Sequence, residues 1–204
     1  MAKLYFHYSA MNAGKSTLLL QAAHNYRERG MSVMLFTAAL DDRVGEGRIA
    51  SRIGLEQESL TFAPGDDLLA VIGGHHRAAG PVHCVFVDEA QFLEPAQVWQ
   101  LARVADRLAI PVMAYGLRTD FQGQLFPGSR ELLAIADDLR EVRTICRCGR
   151  KASMVVRIGA DGHVVREGAQ VAIGGNDRYV SLCRRHWEEE MGRARADDFI
   201  GFVG

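Results

Sequence analysis

Short runs of consecutive apolar residues alternate with amphipathic segments along the first two thirds of the chain. The continuous runs predict buried strands at residues 4–8, 33–37, 82–87, 112–115 and 139–144. Between them, apolar residues recur at helical spacing and predict helices at residues 15–29, 65–79 and 95–108, followed by one that Ser129 caps and that runs to residue 136. Strands that are apolar throughout and alternate with helices are typical of a parallel sheet covered on both faces. The pattern therefore predicts an α/β fold.

The alternation ends after residue 145. The rest of the chain holds three of the four cysteines, a glycine-rich stretch at residues 168–175 and one short helix. We therefore expect a domain boundary here, which separates an α/β domain at residues 1–145 from a small domain at residues 146–204.

Composition narrows the class of partner. The 204 residues carry a formal net charge of −1 and no long basic run, whereas proteins that wrap nucleic acid usually have a basic excess. This favours a small-molecule substrate and no nucleic-acid partner. The apolar runs are too short for a membrane span or a secretory signal, so we expect a cytoplasmic protein without a membrane partner.

A phosphate-binding motif follows the first predicted strand. The P-loop pattern is a glycine, four residues and then Gly-Lys-Ser/Thr, and here Ser9 replaces the first glycine. Gly14 allows close approach of the backbone, Lys15 neutralises the outer phosphates and the Ser16 hydroxyl binds Mg²⁺. The alternative is a chance Gly-Lys-Ser before an ordinary helix. The predicted ATP-binding loop consists of Ser9, Ala10, Met11, Asn12, Ala13, Gly14, Lys15 and Ser16.

Two carboxylates follow the apolar strand at residues 82–87. Ligands of open α/β sheets bind beyond the carboxyl ends of the strands, where the P-loop also lies. Asp88 is placed to hold Mg²⁺, and Glu89 is placed to take a proton from an attacking hydroxyl or water. A solvated acidic turn is the alternative for this motif alone. Together with the P-loop it predicts ATP binding, and it leaves the phosphate acceptor undecided.

The small domain contains a candidate metal site. Cys146 and Cys148 are separated by one residue, and Cys183 precedes His186 by three positions. Three thiolates and one imidazole form a closed, tetrahedral zinc site of the structural kind. The usual first pair has two intervening residues, so the alternative is two unrelated pairs of small buried residues.

Four motifs, in this order, resemble those of the bacterial type II thymidine kinases. They are the P-loop at residues 8–17 with its leading serine, the acidic motif at 88–92, the acceptor-side loop at 115–121 and the segment at 173–179. The resemblance implies a P-loop NTPase-type parallel sheet flanked by helices. It also implies a small zinc-binding domain that carries a substrate-covering lasso loop, which the segment at residues 173–179 resembles.

The resemblance further implies an enzyme that transfers the γ-phosphate of ATP to the 5′-hydroxyl of thymidine. Glu89 is then the general base, Lys15 and Arg43 stabilise the moving phosphoryl group, and Gln91 joins Asp88 in the ATP and Mg²⁺ site. The same family implies structural zinc, a homotetramer and thymidine triphosphate as a feedback ligand. The nucleoside is expected to contact Met11, Phe92, Leu117, Phe121, Gln170, Val171, Ala172, Ile173, Gly174 and Tyr179.

Two other functions remain open from the residues alone. The first is a P-loop ATPase with a zinc ribbon that associates with nucleic acid, in which Glu89 would activate water. The second is a nucleotide-binding regulator without catalysis. The near-neutral charge disfavours the first, and the intact set of Lys15, Ser16, Asp88 and Glu89 disfavours the second.

Overall fold

The computed structural model describes residues 1–41, 45, 47–171 and 178–192. Its strands are β1 (Leu4–Ser9), β2 (Val33–Ala38), β3 (Arg48–Ala50), β4 (Glu56–Glu58), β5 (Leu60–Phe62), β6 (Cys84–Val87), β7 (Val112–Leu117), β8 (Asp138–Glu141), β9 (Thr144–Ile145), β10 (Lys151–Ala152), β11 (Met154–Ile158), β12 (Val164–Val165) and β13 (Tyr179–Leu182). The helices are α1 (Lys15–Glu28), α2 (Leu68–Ala78), α3 (Pro95–Leu108), α4 (Pro127–Ile135) and α5 (Arg184–Glu190), with a 3-10 turn at Ala90–Phe92.

The central sheet is parallel, as predicted. Its six strands lie in the order β5-β2-β6-β7-β1-β8, and all the neighbours pair in parallel. One apolar core packs α2, α3 and α4 on one face, and a second packs α1 on the other. The expected α/β class is therefore confirmed.

The order of the strands determines where ligands bind. The chain passes from β1 through α1 to β2, which lies three positions away in the sheet. The carboxyl ends of β1, β6 and β7 consequently meet at one edge, beside the start of α1. Such an edge is the usual binding position in open α/β sheets.

The part of the chain after residue 145 has an apolar core of its own. Antiparallel strands β12, β11 and β13 form a three-stranded sheet, and β9 pairs with β10 in a hairpin. Leu182, Trp187 and Met191 pack together with two of the candidate metal ligands. The hairpin lies across the boundary expected at residue 145, because Ile145 pairs with Lys151.

The prediction that Ser129 caps the fourth helix is wrong. The helix begins at Pro127, two residues before Ser129, because the fixed φ of proline suits a first-turn position. Ser129 is fully buried inside the helix, and its hydroxyl donates to the Leu117 carbonyl at 2.5 Å. The helix is therefore fastened to the end of β7.

Two other boundaries also differ from the pattern. The helix expected from residue 65 begins at Leu68, because the Asp67 carboxylate caps it by accepting from the Ala70 N–H at 3.0 Å. The strand expected at residues 139–144 ends at Glu141. Thr144 belongs instead to the β9–β10 hairpin.

Within the described residues, no helix is both long and apolar enough to cross a membrane.

Candidate active site

The predicted P-loop connects β1 to α1. Gly14 has φ of 83° and Asn12 has φ of 62°, so the loop curls through two left-handed positions. Among the described residues, no side chain caps the first turn of α1, which leaves its N–H groups and positive dipole end facing the loop. Lys15 is buried and reaches back across the loop, where its Nζ donates to the Ser9 hydroxyl at 3.0 Å. The loop therefore has the geometry expected of an anion-binding site.

Asp88 joins this loop to the end of β6. Its Oδ2 accepts from the Ser16 hydroxyl at 2.8 Å, and its Oδ1 accepts from the Glu89 N–H at 3.0 Å. Burial, reinforced by the neighbouring Glu89 carboxylate, raises the pKa of Asp88 from its ordinary 3.8 to about 7. A buried carboxylate beside a hydroxyl is a donor set that suits Mg²⁺, which prefers oxygen ligands.

Glu89 is held in an unusual backbone conformation. Its φ of 52° and ψ of 36° lie in the left-handed region, which costs a non-glycine residue about 1 kcal/mol or more. The Gln91 carboxamide supports it from one side by donating to Glu89 Oε2. The same carboxamide accepts from the Leu117 N–H at 2.9 Å, so the end of β7 determines where Glu89 points.

The amide of Gln91 therefore lies between Glu89 and β7. Gly116 makes this approach possible, since a Cβ there would lie 2.9 Å from the Gln91 backbone nitrogen. The resemblance assigned Gln91 to the ATP and Mg²⁺ site, whereas its observed contacts are with Glu89 and the strand end.

A cleft of about 410 Å³ brings the predicted residues together. Its walls are residues 11–17 of the P-loop, Asp88 and Glu89 after β6, Leu117 at the end of β7, and residues 48–53 of β3 and the turn after it. Ser9 and Ala10 lie buried beneath the loop. The cleft therefore combines the predicted phosphate-binding loop, two carboxylates and two of the expected base-pocket residues, Met11 and Leu117.

Sequence reasoning missed the wall formed by β3 and its turn. Arg48 lines the cleft and pairs with Glu56 across the β3–β4 hairpin at 2.5 Å. Arg52 also lines the cleft and makes no hydrogen bond or ion pair with any described residue. The two arginines in this short polar hairpin were the available signal for a charged wall of the cleft. Nothing in the sequence pattern indicated that the hairpin folds over the P-loop.

The expected base-pocket residues occupy different depths. Met11 and Leu117 line the cleft. Phe92 packs edge-on against Phe126, with ring centroids 5.9 Å apart. Phe121 is only 1 % exposed and lies under the Arg157 guanidinium, 4.0 Å from the ring centroid. Arg157 thus covers the Phe121 side of the acceptor-side loop.

The segment that leads into the expected lasso is anchored to the same loop. Gln170 Nε2 donates to the buried Asp120 carboxylate at 2.9 Å, and Gln122 Nε2 donates to the Gly168 carbonyl at 2.9 Å. Val171 is exposed. Arg43 and the lasso residues Ala172, Ile173 and Gly174 lie outside the described residues.

Tyr179, the last residue of the expected lasso segment, lies on β13. Its carbonyl accepts from the Asn12 carboxamide at 3.5 Å. Strand β13 therefore contacts the P-loop directly.

The four candidate metal ligands converge. The ligand atoms of Cys146, Cys148, Cys183 and His186 all lie within 4.8 Å of one another. The Cys148 and Cys183 sulfurs are 3.9 Å apart, and His186 Nδ1 is 3.2 Å from the Cys146 sulfur. A tetrahedral zinc with Zn–S bonds of about 2.3 Å separates two thiolates by about 3.8 Å. This cluster could hold a metal ion, and its geometry fits zinc.

Trp187 connects the cluster to the acceptor loop. Its indole N–H donates to the carbonyls of Phe121 and Val155, each at 3.0 Å. The same ring approaches Gly123, where an added Cβ would lie 3.2 Å from it. Because Trp187 follows His186 directly, the metal cluster fixes the indole that supports Phe121.

The turn that carries Glu89 also requires a glycine at position 128, on the helix packed against it. A Cβ at this position would lie 2.6 Å from the Ala90 carbonyl oxygen and 2.7 Å from that of Leu93, and backbone atoms cannot move aside cheaply. We expect Gly128→Ala to destabilise the fold by about 1–3 kcal/mol and to lower turnover, since α4 must move away from the turn that carries Glu89.

Gly74→Ala is the matched control for this change. This glycine lies within α2 and has no atom within 4 Å of a built Cβ. Here alanine is expected to stabilise by about 0.5–1 kcal/mol. Urea unfolding of both variants measures the two effects, and an equal shift in the same direction would contradict the steric account.

The sequence comparisons with known proteins all give the same family. A family model described as thymidine kinase matches residues 2–187. A thymidine kinase of Mesorhizobium japonicum is 72 % identical over 203 residues, which cover 100 % of this chain and 99 % of the relative. One of Vibrio cholerae is 60 % identical over 193 residues, which cover 95 % and 100 %.

Structural comparison adds a more distant similarity. The Pif1 helicase of Candida albicans aligns with a TM-score of 0.44 and 17 % identity over 72 % of this chain and 37 % of the helicase. The fold assignment rests on the sheet topology and not on this alignment.

Proposed function

This chain belongs to the thymidine kinase family and is an ATP-dependent phosphotransferase, and we propose that Glu89 is the general base that deprotonates the 5′-hydroxyl of thymidine. The observation that carries the proposal is the 2.8 Å hydrogen bond between the Ser16 hydroxyl and the Asp88 carboxylate. This bond joins the P-loop to β6 beside Glu89, so that phosphate-binding groups, a metal-binding carboxylate and a base line one cleft.

The P-loop is the proposed site of the ATP phosphates. Its backbone N–H groups and the start of α1 supply the positive end of a helix, and Lys15 supplies a full charge. Ser16 and Asp88 would hold Mg²⁺, which neutralises charge on the phosphoryl oxygens when it is bound. Arg43 is proposed to assist Lys15, on the strength of the family resemblance.

Glu89 acts on the acceptor side of the same cleft. Its carboxylate takes the proton of the 5′-hydroxyl as that oxygen forms a bond to the γ-phosphorus, and the bond from the γ-phosphorus to the β,γ-bridging oxygen breaks to release ADP. Gln91 holds the carboxylate in place through its own bond to the end of β7. The positioning residue and the base therefore belong to one short turn.

The nucleoside is proposed to bind between the acceptor loop and the lasso. Met11 and Leu117 line the cleft, and Phe92 and Phe121 add aromatic surface behind them. Tyr179 is proposed to anchor the sugar. Backbone groups of residues 170–174 are proposed to read the pyrimidine edge, and the bond from Gln170 to Asp120 supports this by fixing where the segment starts.

Several finer properties follow from the family resemblance. We propose that zinc occupies the Cys/His cluster as a structural ion, and that residues 1–145 and 146–204 form two domains with separate cores. Thymidine triphosphate is proposed as a feedback ligand, because it presents both thymine and a polyphosphate to this cleft. A homotetramer in the cytoplasm is proposed on the resemblance alone.

The position of phosphorylation tests whether the 5′-hydroxyl of thymidine is the acceptor, as the proposed role of Glu89 requires. Incubation with MgATP and 3′-deoxythymidine should yield a 5′-phosphate, because the 5′-hydroxyl is retained. Incubation with 5′-deoxythymidine should yield no phosphorylated nucleoside, since the hydroxyl that accepts the phosphoryl group is missing. Product identification by mass spectrometry would overturn the proposal if the second compound were phosphorylated.

Asp88 predicts a pH effect on the ligand-free protein. Because its pKa rises from 3.8 to about 7 on folding, the folded state binds this proton more tightly. The stabilising contribution is complete below about pH 4 and is lost as pH rises through about 7. Between about pH 4 and 7, the melting temperature of the wild type should therefore fall relative to that of Asp88→Asn.

Activity should change with pH in the opposite direction. Mg²⁺ requires the ionised carboxylate, so the KM for MgATP should decrease as pH rises through about 7. The assigned role of Asp88 would be contradicted by two results together. The melting temperatures of the wild type and of Asp88→Asn would change equally with pH, and the KM for MgATP would not depend on pH.

A further inference from the structure

Strand β13 connects three parts of the site within five residues. It follows the lasso, carries Tyr179, and leads directly into Cys183 of the metal cluster. Side chains two positions apart on a strand share a face, so Ser181 points to the same side as Tyr179. That side faces the P-loop, because the Ser181 hydroxyl donates to the Met11 carbonyl at 2.5 Å.

A second hydrogen bond runs in the opposite direction. The Asn12 carboxamide donates to the Tyr179 carbonyl at 3.5 Å. Asn12 adopts a left-handed backbone conformation, with φ of 62°. Asparagine is one of the few residue types that tolerate this conformation. Two adjacent residues of the P-loop are therefore tied to alternate residues of β13.

The bond to Met11 determines the orientation of a phosphate-binding group. The Met11 carbonyl and the Asn12 N–H belong to one planar trans peptide, and they point in opposite directions. Because Ser181 holds the carbonyl toward β13, the Asn12 N–H points away from β13. Ser181 thus sets the direction of a P-loop donor without contacting ATP.

We propose that Ser181 is a positioning residue through which MgATP and thymidine strengthen each other's binding. The inference rests on the proposed function, because it requires phosphates in the P-loop and a nucleoside against Tyr179. Ordering the loop around phosphates fixes β13 at the nucleoside side, and ordering β13 around a nucleoside fixes the loop. Such a coupling is reciprocal, so either ligand reports it.

The test is a pair of calorimetric titrations on the intact, zinc-loaded protein. The Kd for thymidine is measured with and without Mg²⁺ and an ATP analogue whose β,γ-bridging oxygen is replaced by an imido nitrogen. The ratio of the two constants is the coupling factor. We expect a factor well above one for the wild type, and a fall of roughly 3- to 10-fold in Ser181→Ala, which lacks one neutral hydrogen bond.

Two further serine variants separate positioning from folding. Ser181→Thr retains a hydroxyl and should recover most of the coupling. Ser32→Ala is the matched control, since the Ser32 hydroxyl also donates to a backbone carbonyl, that of Pro81, at the opposite end of the sheet. Its coupling factor should equal that of the wild type.

Asn12→Gly tests the second hydrogen bond independently. Glycine adopts the left-handed conformation without strain, so only the carboxamide is lost. We expect its coupling factor to fall as well, and this variant decides the question if Ser181→Ala does not fold.

The outcomes distinguish this inference from the proposed function. A wild type that phosphorylates thymidine and has a coupling factor of one overturns the inference alone. A factor in Ser181→Ala that equals that of the wild type does the same. A wild type that neither binds nor phosphorylates thymidine overturns the proposed function and the inference with it.

Discussion

Glu89→Gln is expected to lower the turnover number by a factor on the order of 10² to 10⁴ while the affinity for MgATP stays nearly constant. The change removes proton acceptance and keeps the shape of the side chain. An amide oxygen at position 89 can still accept from Gln91, so the left-handed turn is retained. Steady-state kinetics and nucleotide titration measure the two quantities separately.

Glu131→Gln is the control for this variant. Glu131 accepts from the indole N–H of Trp99 at 2.6 Å on the outer surface of α3 and α4, away from the cleft. Its turnover should match that of the wild type. If Glu89→Gln retained turnover within a few-fold of the wild type, the base would have to be another group.

The second large effect is expected at the metal cluster. Cys183→Ser should release the metal and unfold the small domain before the central sheet, because structural zinc contributes folding free energy directly. Turnover should also collapse. Cys183 follows β13, and Trp187 donates to the Phe121 carbonyl, so loss of the cluster should release both β13 and the acceptor-side loop.

Cys84→Ala provides the comparison, since Cys84 is buried in β6 within the sheet core and lies outside the cluster. Its zinc content by atomic absorption should equal that of the wild type. Unchanged zinc content in Cys183→Ser would remove Cys183 from the ligand set, whatever the variant does to stability.

The sequence predicted those parts of the fold that local patterns determine. Continuous apolar runs identified the parallel strands, and the P-loop could be recognised because its phosphate-binding groups lie within eight consecutive residues. The members of the candidate metal cluster were also identifiable, since cysteine and histidine spacing reflects coordination geometry. In each case the informative residues are neighbours along the chain.

The missed features depend on contacts between distant segments. Ser129 looked like a helix cap, but its hydroxyl bonds to Leu117, and Pro127 starts the helix earlier. The hairpin that carries Arg52 folds over the P-loop only in three dimensions. The bond between Ser181 and Met11 joins residues 170 positions apart.

The role of Gln91 shows the same limit within a recognised motif. The resemblance identified it as part of the acidic motif, which the sequence supports. That its amide lies between Glu89 and the Leu117 N–H depends on the close packing allowed by Gly116. A motif can identify the residue, and only the fold identifies its partner.

The most direct test of the central claim is ADP release by the purified protein with MgATP, measured with and without thymidine. A kinase with Glu89 aimed at a nucleoside hydroxyl predicts that thymidine raises ADP release strongly and that thymidine monophosphate accumulates in equal amount. ADP release that does not respond to thymidine but rises with nucleic acid would contradict this account, and Glu89 would then act on water.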